Sequence, residues 1–249
     1  MIAAQRHSGL VLGAYHGKRM IGVLFGFTAM SHGRPYHYSH ITGVRKSFQA
    51  RGVGYGLKLA QRGFVMDQGM SLVRWTFDPL QAGNGFFNIA KLGAVCRTYV
   101  RNLYGNLRDS LNHGRITDRF EVEWWIRSPR VRQSVSGLAQ RLVLDRLLEE
   151  GVEVVNRTKV MKSGVRRTVR TRLGLRHGRL LVEVPESIVR VRDASREASR
   201  AWTLSFRRIF EHYFRRGYVV TNVVVDGDLN GRRTFYLLES DVGQSGTIL

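Results

Sequence analysis

A single cysteine, Cys96, excludes an internal disulfide framework. It lies in an apolar run with no CxxC partner, so a buried structural thiol is expected rather than a nucleophile or metal ligand. Long hydrophobic runs are lacking too. The longest, residues 9–15 and 20–27, are separated by His16-Gly17-Lys18-Arg19, and neither reaches the roughly 20 residues a membrane-crossing helix needs. They read as a hairpin. No charged start, apolar centre and small-residue cleavage site marks a signal peptide, so a cytoplasmic location is expected. Acid is scarce: 19 acidic residues face 40 basic ones, for a formal charge of +21. Such a field attracts phosphorylated small molecules, nucleic acid and anionic membrane surfaces alike, and does not choose among them. The densest basic stretch, residues 157–172, contains no acid. It suits a nucleic-acid or acidic-partner patch, but arginine exceeds lysine along the whole chain, which favours an ordinary solvated surface.

What is present is enough apolar residue for a packed core: 249 residues, 43% hydrophobic, forming one large domain or two small ones. The most informative stretch is Gln49-Ala50-Arg51-Gly52-Val53-Gly54, between a strand-like run at residues 39–44 and a helix-like run at 55–64. Glycines let the backbone turn tightly and approach a ligand closely, and the free N–H groups opening a helix face a pyrophosphate. A dinucleotide fingerprint would put a third glycine where Leu57 stands, although Asp78 sits where a ribose-binding acid is expected. No Gly-Lys-Ser/Thr follows, which excludes a P-loop.

With Gln49 three residues before Gly52-x-Gly54, the loop resembles the acyl-CoA loop of the GNAT superfamily of N-acyltransferases. Periodicity supports strands at residues 9–15, 20–28 and 36–44, a helix at 55–67, a strand at 71–77, a helix at 84–92 stopped by Gly93, and a strand at 94–100. That order, hairpin, strand, glycine loop, helix, strand, helix, strand, is the order of the GNAT fold. The resemblance implies an α/β chain with a GNAT-like mixed sheet and flanking helices. It also implies a first strand and one or two helices ahead of the hairpin. Only about eight residues precede the hairpin in this sequence, so either the start lies upstream or part of the acceptor site is lacking, and residues 1–6 are read as the tail of the missing helix. Beyond residue 100 the chain resembles a subgroup of predicted acetyltransferases with a long C-terminal extension. The matching residues are Asn84, Phe87, Asn88, Lys91-Leu92-Gly93, Tyr104-Gly105, Asp109, Leu111-Asn112, Gly114, Asp118-Arg119 and Val122-Glu123-Trp124.

We therefore divide the chain into a GNAT-like acyl-CoA-binding domain, residues 1–126, and an α+β extension, residues 127–249, weakly readable as a degenerate GNAT-like half. In the extension we expect a helix at 137–150, a strand at 152–155, strands at 172–175 and 179–184 paired with each other, a helix at 195–216, a hairpin of 218–225 with 233–238, and a disordered tail at 242–249. Residues 226–231 begin like a calcium loop, but the twelfth position is Leu237 and strands flank it, so it reads as a hairpin turn.

The resemblance implies transfer of an acyl group, expected to be acetyl, from a CoA thioester to a small-molecule or protein amine by direct attack. It needs no metal and no covalent enzyme intermediate. Val44, Arg45, Gln49, Arg51, Gly52, Val53, Gly54 and Tyr55 are the expected CoA contacts, with Asn84 and Asn88 on the pantetheine amides unless Asn84 caps a helix. The family's usual tyrosine acid is replaced by Phe87-Asn88-Ile89, leaving Tyr104 as the nearest substitute. His32, His37 and His40 cluster, yet strand alternation puts His37 and His40 on opposite faces, against joint metal binding. His40 is the candidate base. Asp109, Asp118, Glu121 and Glu123 form an acidic group suited to a cationic acceptor, with Glu123 the carboxylate to test and salt bridging to Arg119 and Arg127 the plainer reading. The alternative function is a non-catalytic module binding nucleic acid or a protein through its basic surface.

Overall fold

The structure, a computed structural model, describes residues 2–105, 116–228 and 231–240. The Asp109 and residue 111–114 positions and the expected tail lie outside the described residues. The first elements are α1 (Ile2–Arg6), β1 (Leu10–His16), β2 (Arg19–Ser31), β3 (Arg34–Val44), α2 (Val53–Asp67) and β4 (Leu72–Phe77). There follow α3 (Ala82–Gly85) running into a π-helical turn (Phe86–Lys91), β5 (Val95–Val100), β6 (Arg119–Trp125), α4 (Pro129–Val135) and α5 (Leu144–Glu149). The chain continues through β7 (Glu153–Val154), β8 (Asn156–Val160), β9 (Arg166–Thr171), β10 (Arg179–Val184), α6 (Ile188–Ala194), α7 (Arg196–Arg215), β11 (Val219–Asp228) and β12 (Gly231–Glu239). The expected order of hairpin, strand, glycine loop, helix, strand, helix, strand is present from β1 to β5. The chain forms two units: Met1–Trp75 with Glu123–Arg127 make up the first, and Thr76–Val122 with Ser128–Leu249 the second.

In the first unit the strands run in the order β1-β2-β3-β4, β1 to β3 antiparallel and β3 to β4 parallel. The parallel step is made by α2, as a parallel crossover requires. α2 buries Leu57 and Val65 but also Lys58 and Gln61. Leu57 joins Leu10 and Leu24 in an apolar cluster with Val53 and Phe64 at its edge. Lys58 Nζ donates to Ser39 Oγ (2.8 Å) and Gln61 Oε1 (3.2 Å) and lies 3.8 Å from the centre of the Trp75 ring.

In the second unit the order is β6-β5-β11-β12-β10-β7, with a separate β8-β9 pair. α7 carries a stripe of Ala198, Trp202, Phe206, Ile209, Phe210 and Tyr213, recurring at helical spacing and buried. Phe120, Phe206, Phe210 and Tyr236 interlock edge to face, with the Phe120 and Phe210 rings 4.7 Å apart. A second apolar cluster joins Leu144, Leu147, Leu181 and Phe235.

Three expectations are corrected. The helix expected at 137–150 is only α5, because Gly137, at φ +75°, ends α4 instead of starting a helix, and Leu138 is exposed. Strand β10 pairs not with residues 172–175 but with β12 and β7. The basic stretch forms the β8-β9 hairpin around Gly164, its side chains largely exposed as the surface reading expects, with Arg157 opposite Arg170 and Lys159 opposite Arg167. Like charges placed opposite each other repel, so the hairpin is held elsewhere. Trp202 Nε1 donates to the Arg166 carbonyl (2.9 Å) and the Tyr213 hydroxyl to that of Arg172 (3.0 Å). The helix expected at 84–92 starts at Ala82 and widens into the π-helical turn. No helix among the described residues is long and apolar enough to cross a membrane.

Candidate functional site

Three features meet where β3 ends. The first is a divergence of strands: β3 and β4 pair only at His37↔Val73 and Tyr38↔Arg74, so from residue 39 to Val44 the β3 backbone runs on without a β4 partner. The second is a bulge. The β2-β3 register slips between Phe25↔Ile41 and Gly26↔Ser39, leaving His40 as the extra residue. Bulges re-aim a side chain and end pairing. His40 is exposed, with the rings of Phe25, Phe27 and Tyr38 around it. His37 is buried, so the two histidines do not share a face, as alternation implied.

The third feature is the glycine loop. Gly52 holds a left-handed conformation, φ +82°, that L side chains rarely adopt, and forms the N-cap of α2 with no side-chain capping bond. Gly56 N–H bonds the Gly52 carbonyl (2.9 Å), so the α-helical ladder begins there, and the N–H groups of Val53 and Gly54 belong to the set a helix leaves open. No acid stands in that first turn. A Cβ on Gly54 would meet only Val44 Cγ2, at 3.7 Å, and one on Gly56 would meet nothing within 4 Å. Glycine inside a helix costs about 1 kcal/mol relative to alanine. Packing within the chain does not ask for either glycine, whereas a ligand lying against the helix start does. Gln49 Nε2 donates to the Val44 carbonyl (3.1 Å), tying the loop to the strand end, and Arg45 Nε donates to the Met20 carbonyl (2.7 Å). The Arg51 guanidinium lies 5.7 Å from the Phe48 ring centre. Val44, Arg45, Gln49, Arg51, Gly52, Val53, Gly54 and Tyr55 are thus one continuous cradle in the first unit.

Other candidates are engaged with partners of their own. Glu123, in the first unit, accepts from Arg74 (3.4 Å) and from Trp125 Nε1 (3.1 Å), rather than bridging to Arg119 or Arg127. Arg127 donates to the Met66 carbonyl and Arg119 to that of Asp118. In the second unit, Tyr104 is an exposed turn residue whose N–H donates to Thr117 Oγ1 (3.2 Å), with the Arg119 guanidinium 5.2 Å from its ring. Asn84 lies inside α3 and is exposed, so it is no helix cap; the N-cap is Gln81. Asn88 is buried in the π-helical turn. Cys96 is buried, its thiol against the Thr98 and Glu121 carbonyls.

Two groups escaped the sequence reading. Buried beneath α2 are Lys58 and His37. Burial pushes the Lys58 ammonium down to about 7, and burial together with nearby Lys58 pushes the His37 imidazole down to about 4. In the second unit a cavity of about 770 Å³ opens against α6 and α7, with Tyr99 and Asp118 in its wall. The Asp118 carboxylate accepts from Tyr99 (2.7 Å) and doubly from Arg207 (2.6 and 2.8 Å). Burial alone would raise the Asp118 pKa, but these bonds and the Asn102 N–H hold it below the usual range. The signal for the cavity was the basic spacing Arg192, Arg196, Arg200, opposite the apolar stripe of α7.

No protein-family model matches this sequence, and no curated protein matches it. Among solved structures, the chain is similar to Arabidopsis thaliana Naa50 in complex with a bisubstrate analogue, at 18% identity over 45% of this chain and 69% of that one, TM-score 0.37. It is also similar to an IAA acetyltransferase from Bacillus cereus, at 17% over 49% and 81%, TM-score 0.40. A third is a GNAT family acetyltransferase from Elizabethkingia anophelis with acetyl-CoA bound, at 15% over 50% and 80%, TM-score 0.41. Likenesses this distant decide nothing about activity.

Proposed function

We propose that this chain is an acyl-CoA-dependent N-acyltransferase, with acetyl the expected acyl group. The observation that carries the reading is the start of α2: a left-handed glycine cap, the Val53 and Gly54 N–H groups at the helix opening, no acid, and two glycines that chain packing does not require. This cradle fits a pyrophosphate, since the backbone donors and the positive helix end act together. A side chain at position 54 would project into it.

Acyl-CoA, when bound, supplies a thioester carbonyl carbon for attack by the amine. The chain's residues supply position and proton handling. Val53 and Gly54 N–H groups with the Arg51 guanidinium would hold the pyrophosphate. The unpaired β3 edge up to Val44 and Arg45 would orient the thioester arm. His40, exposed on its bulge, is the candidate to take the amine proton, and the departing thiolate would take its proton from water. Glu123 would hold the amine only by exchanging its bond to Arg74. A cytoplasmic setting and a small-molecule or protein amine belong to the same proposal.

Release of free thiol from acetyl-CoA over a panel of amines tests the reading. We expect turnover with at least one amine, loss of it in Gly54→Glu, and a reduction of about a hundredfold in kcat in His40→Gln. Turnover indifferent to His40→Gln would reassign the base. Absence of thiol release over the whole panel, with saturable RNA binding in its place, would support a basic binding module instead.

A further inference from the structure

The cavity of the second unit has a wall that its own fold does not require. Arg192 on α6 and Arg196 and Arg200 on α7 line it. Asp193 stands 3.6 Å from Arg192, but among the described residues neither the Arg196 nor the Arg200 guanidinium has a hydrogen bond or ion pair. Both are exposed. Arg196 occupies the first position of a 20-residue helix and Arg200 the next turn, where the positive helix end disfavours cations and like charges four residues apart repel. Glu197, the acid of that first turn, is directed to Arg167 on β9, 4.0 Å away, and does not line the cavity. The other cavity arginine, Arg207, is already saturated by Asp118. Asp78 and Asp118 also line the cavity, but placing Arg196 and Arg200 beside Arg192 is a local cost that no hydrogen bond or ion pair of their own guanidinium groups offsets.

The remaining lining states what would offset it. Ile116, Val189 and Leu204 reach the cavity with 36 to 43% of their surface exposed. Apolar side chains left open beside unpaired guanidinium groups suit a molecule with an apolar body and an oxyanion head. Guanidinium forks match carboxylate and phosphate geometry. A volume of about 770 Å³ lies in the range of small-molecule sites.

We propose that this cavity is a binding site for a small organic oxyanion, a carboxylate or phosphate group on an apolar body, gripped by Arg192, Arg196 and Arg200. All of its residues belong to the second unit, and the proposal stands whether or not the glycine loop binds acyl-CoA.

Calorimetric titration with phenyl phosphate and with benzoate, at about 150 mM salt to screen the general field, tests it. The variants are Arg196→Gln with Arg200→Gln, and, as a control of equal charge loss, Arg157→Gln with Arg170→Gln on the β8-β9 hairpin. We expect one-to-one binding of at least one probe to the unaltered chain, weakened about tenfold or more in the cavity variant and unchanged in the hairpin variant. The tighter probe identifies the head group. The cavity substitutions remove exposed, mutually repelling charges, so thermal unfolding should be no earlier than in the unaltered chain; the single Arg200→Gln variant gives the same reading with a smaller loss. Equal weakening in both double variants, or no saturable binding of either probe, would overturn the proposal.

Discussion

The two units treat buried charge in opposite ways. In the first, Lys58 and His37 are buried with no carboxylate among their hydrogen-bond partners; Lys58 has a hydroxyl, an amide oxygen and the Trp75 face. In the second, the buried carboxylates are surrounded: Asp118 by Arg207 and Tyr99, and Glu183 by Arg233, Arg166 and Thr158. The helix starts differ in the same sense. Gly52 leaves the first turn of α2 open, whereas Ser195 caps α7 by accepting from the Ala198 N–H (3.1 Å). In the first unit, the helix opening keeps its Val53 and Gly54 donors uncapped, and the interior holds a lysine and a histidine whose charged forms burial disfavours. In the second, donors and charges are consumed by structure, and the available cations are side chains on the surface of α6 and α7. We therefore propose that a chain with a charge of +21 offers not one diffuse anion surface but two differently built sites.

The largest effect should come from breaking the second unit's arrangement. Arg207→Met leaves the Asp118 carboxylate buried with only Tyr99 and a backbone N–H, and should cost about 3 kcal/mol in denaturant unfolding at neutral pH. The loss should shrink in acid. A carboxyl held below its ordinary value of 3.8 contributes stability above that pH, and the contribution disappears as pH falls through the lower folded value.

Opposite in sign, and somewhat smaller, is the effect of removing the first unit's buried cation. Unfolded, Lys58 titrates near 10.5 and His37 near 6.5; folded, near about 7 and about 4. Over those intervals the unfolded chain binds more protons, so stability rises with pH from about 4 to 6.5 and again from about 7 to 10.5. Lys58→Met should abolish the upper rise and raise stability at pH 6 by about 2 kcal/mol, read from urea midpoints across pH. An upper rise that persists in the variant would remove Lys58 as its source.

Smallest is the cap. Ser195→Ala should lower stability by about 1 kcal/mol, because one α7 donor loses its acceptor. The same thermal scan on Gly52→Ser should show no gain from the added hydroxyl, since the left-handed backbone at +82° disfavours any L side chain.

Much of this was legible in the residues. Apolar periodicity located β1 to β5 and the whole of α7, and Gln49 to Gly54 marked the loop that opens α2. What was hidden depends on partners far away in sequence. The β8-β9 hairpin has little apolar alternation of its own and is held by the polar tips of Trp202 and Tyr213. Buried Phe120, Val122 and Trp124 alternate in β6, yet Val122 and Trp124 read only as part of a family motif. The bulge at His40 is a property of the β2-β3 register, and no local signal records it. The cavity arginines straddle the break at Ser195 between α6 and α7, so a single-helix pattern does not collect them.

The most direct test of the cradle is calorimetric titration of acetyl-CoA into the unaltered chain and into Gly54→Glu, at low and high salt, with ATP as the anionic control. We predict saturable binding that survives salt, exceeds that of ATP and vanishes in the variant. Weak binding that salt removes equally from both proteins would contradict the account, reducing the glycine loop to one more positive surface on a basic chain.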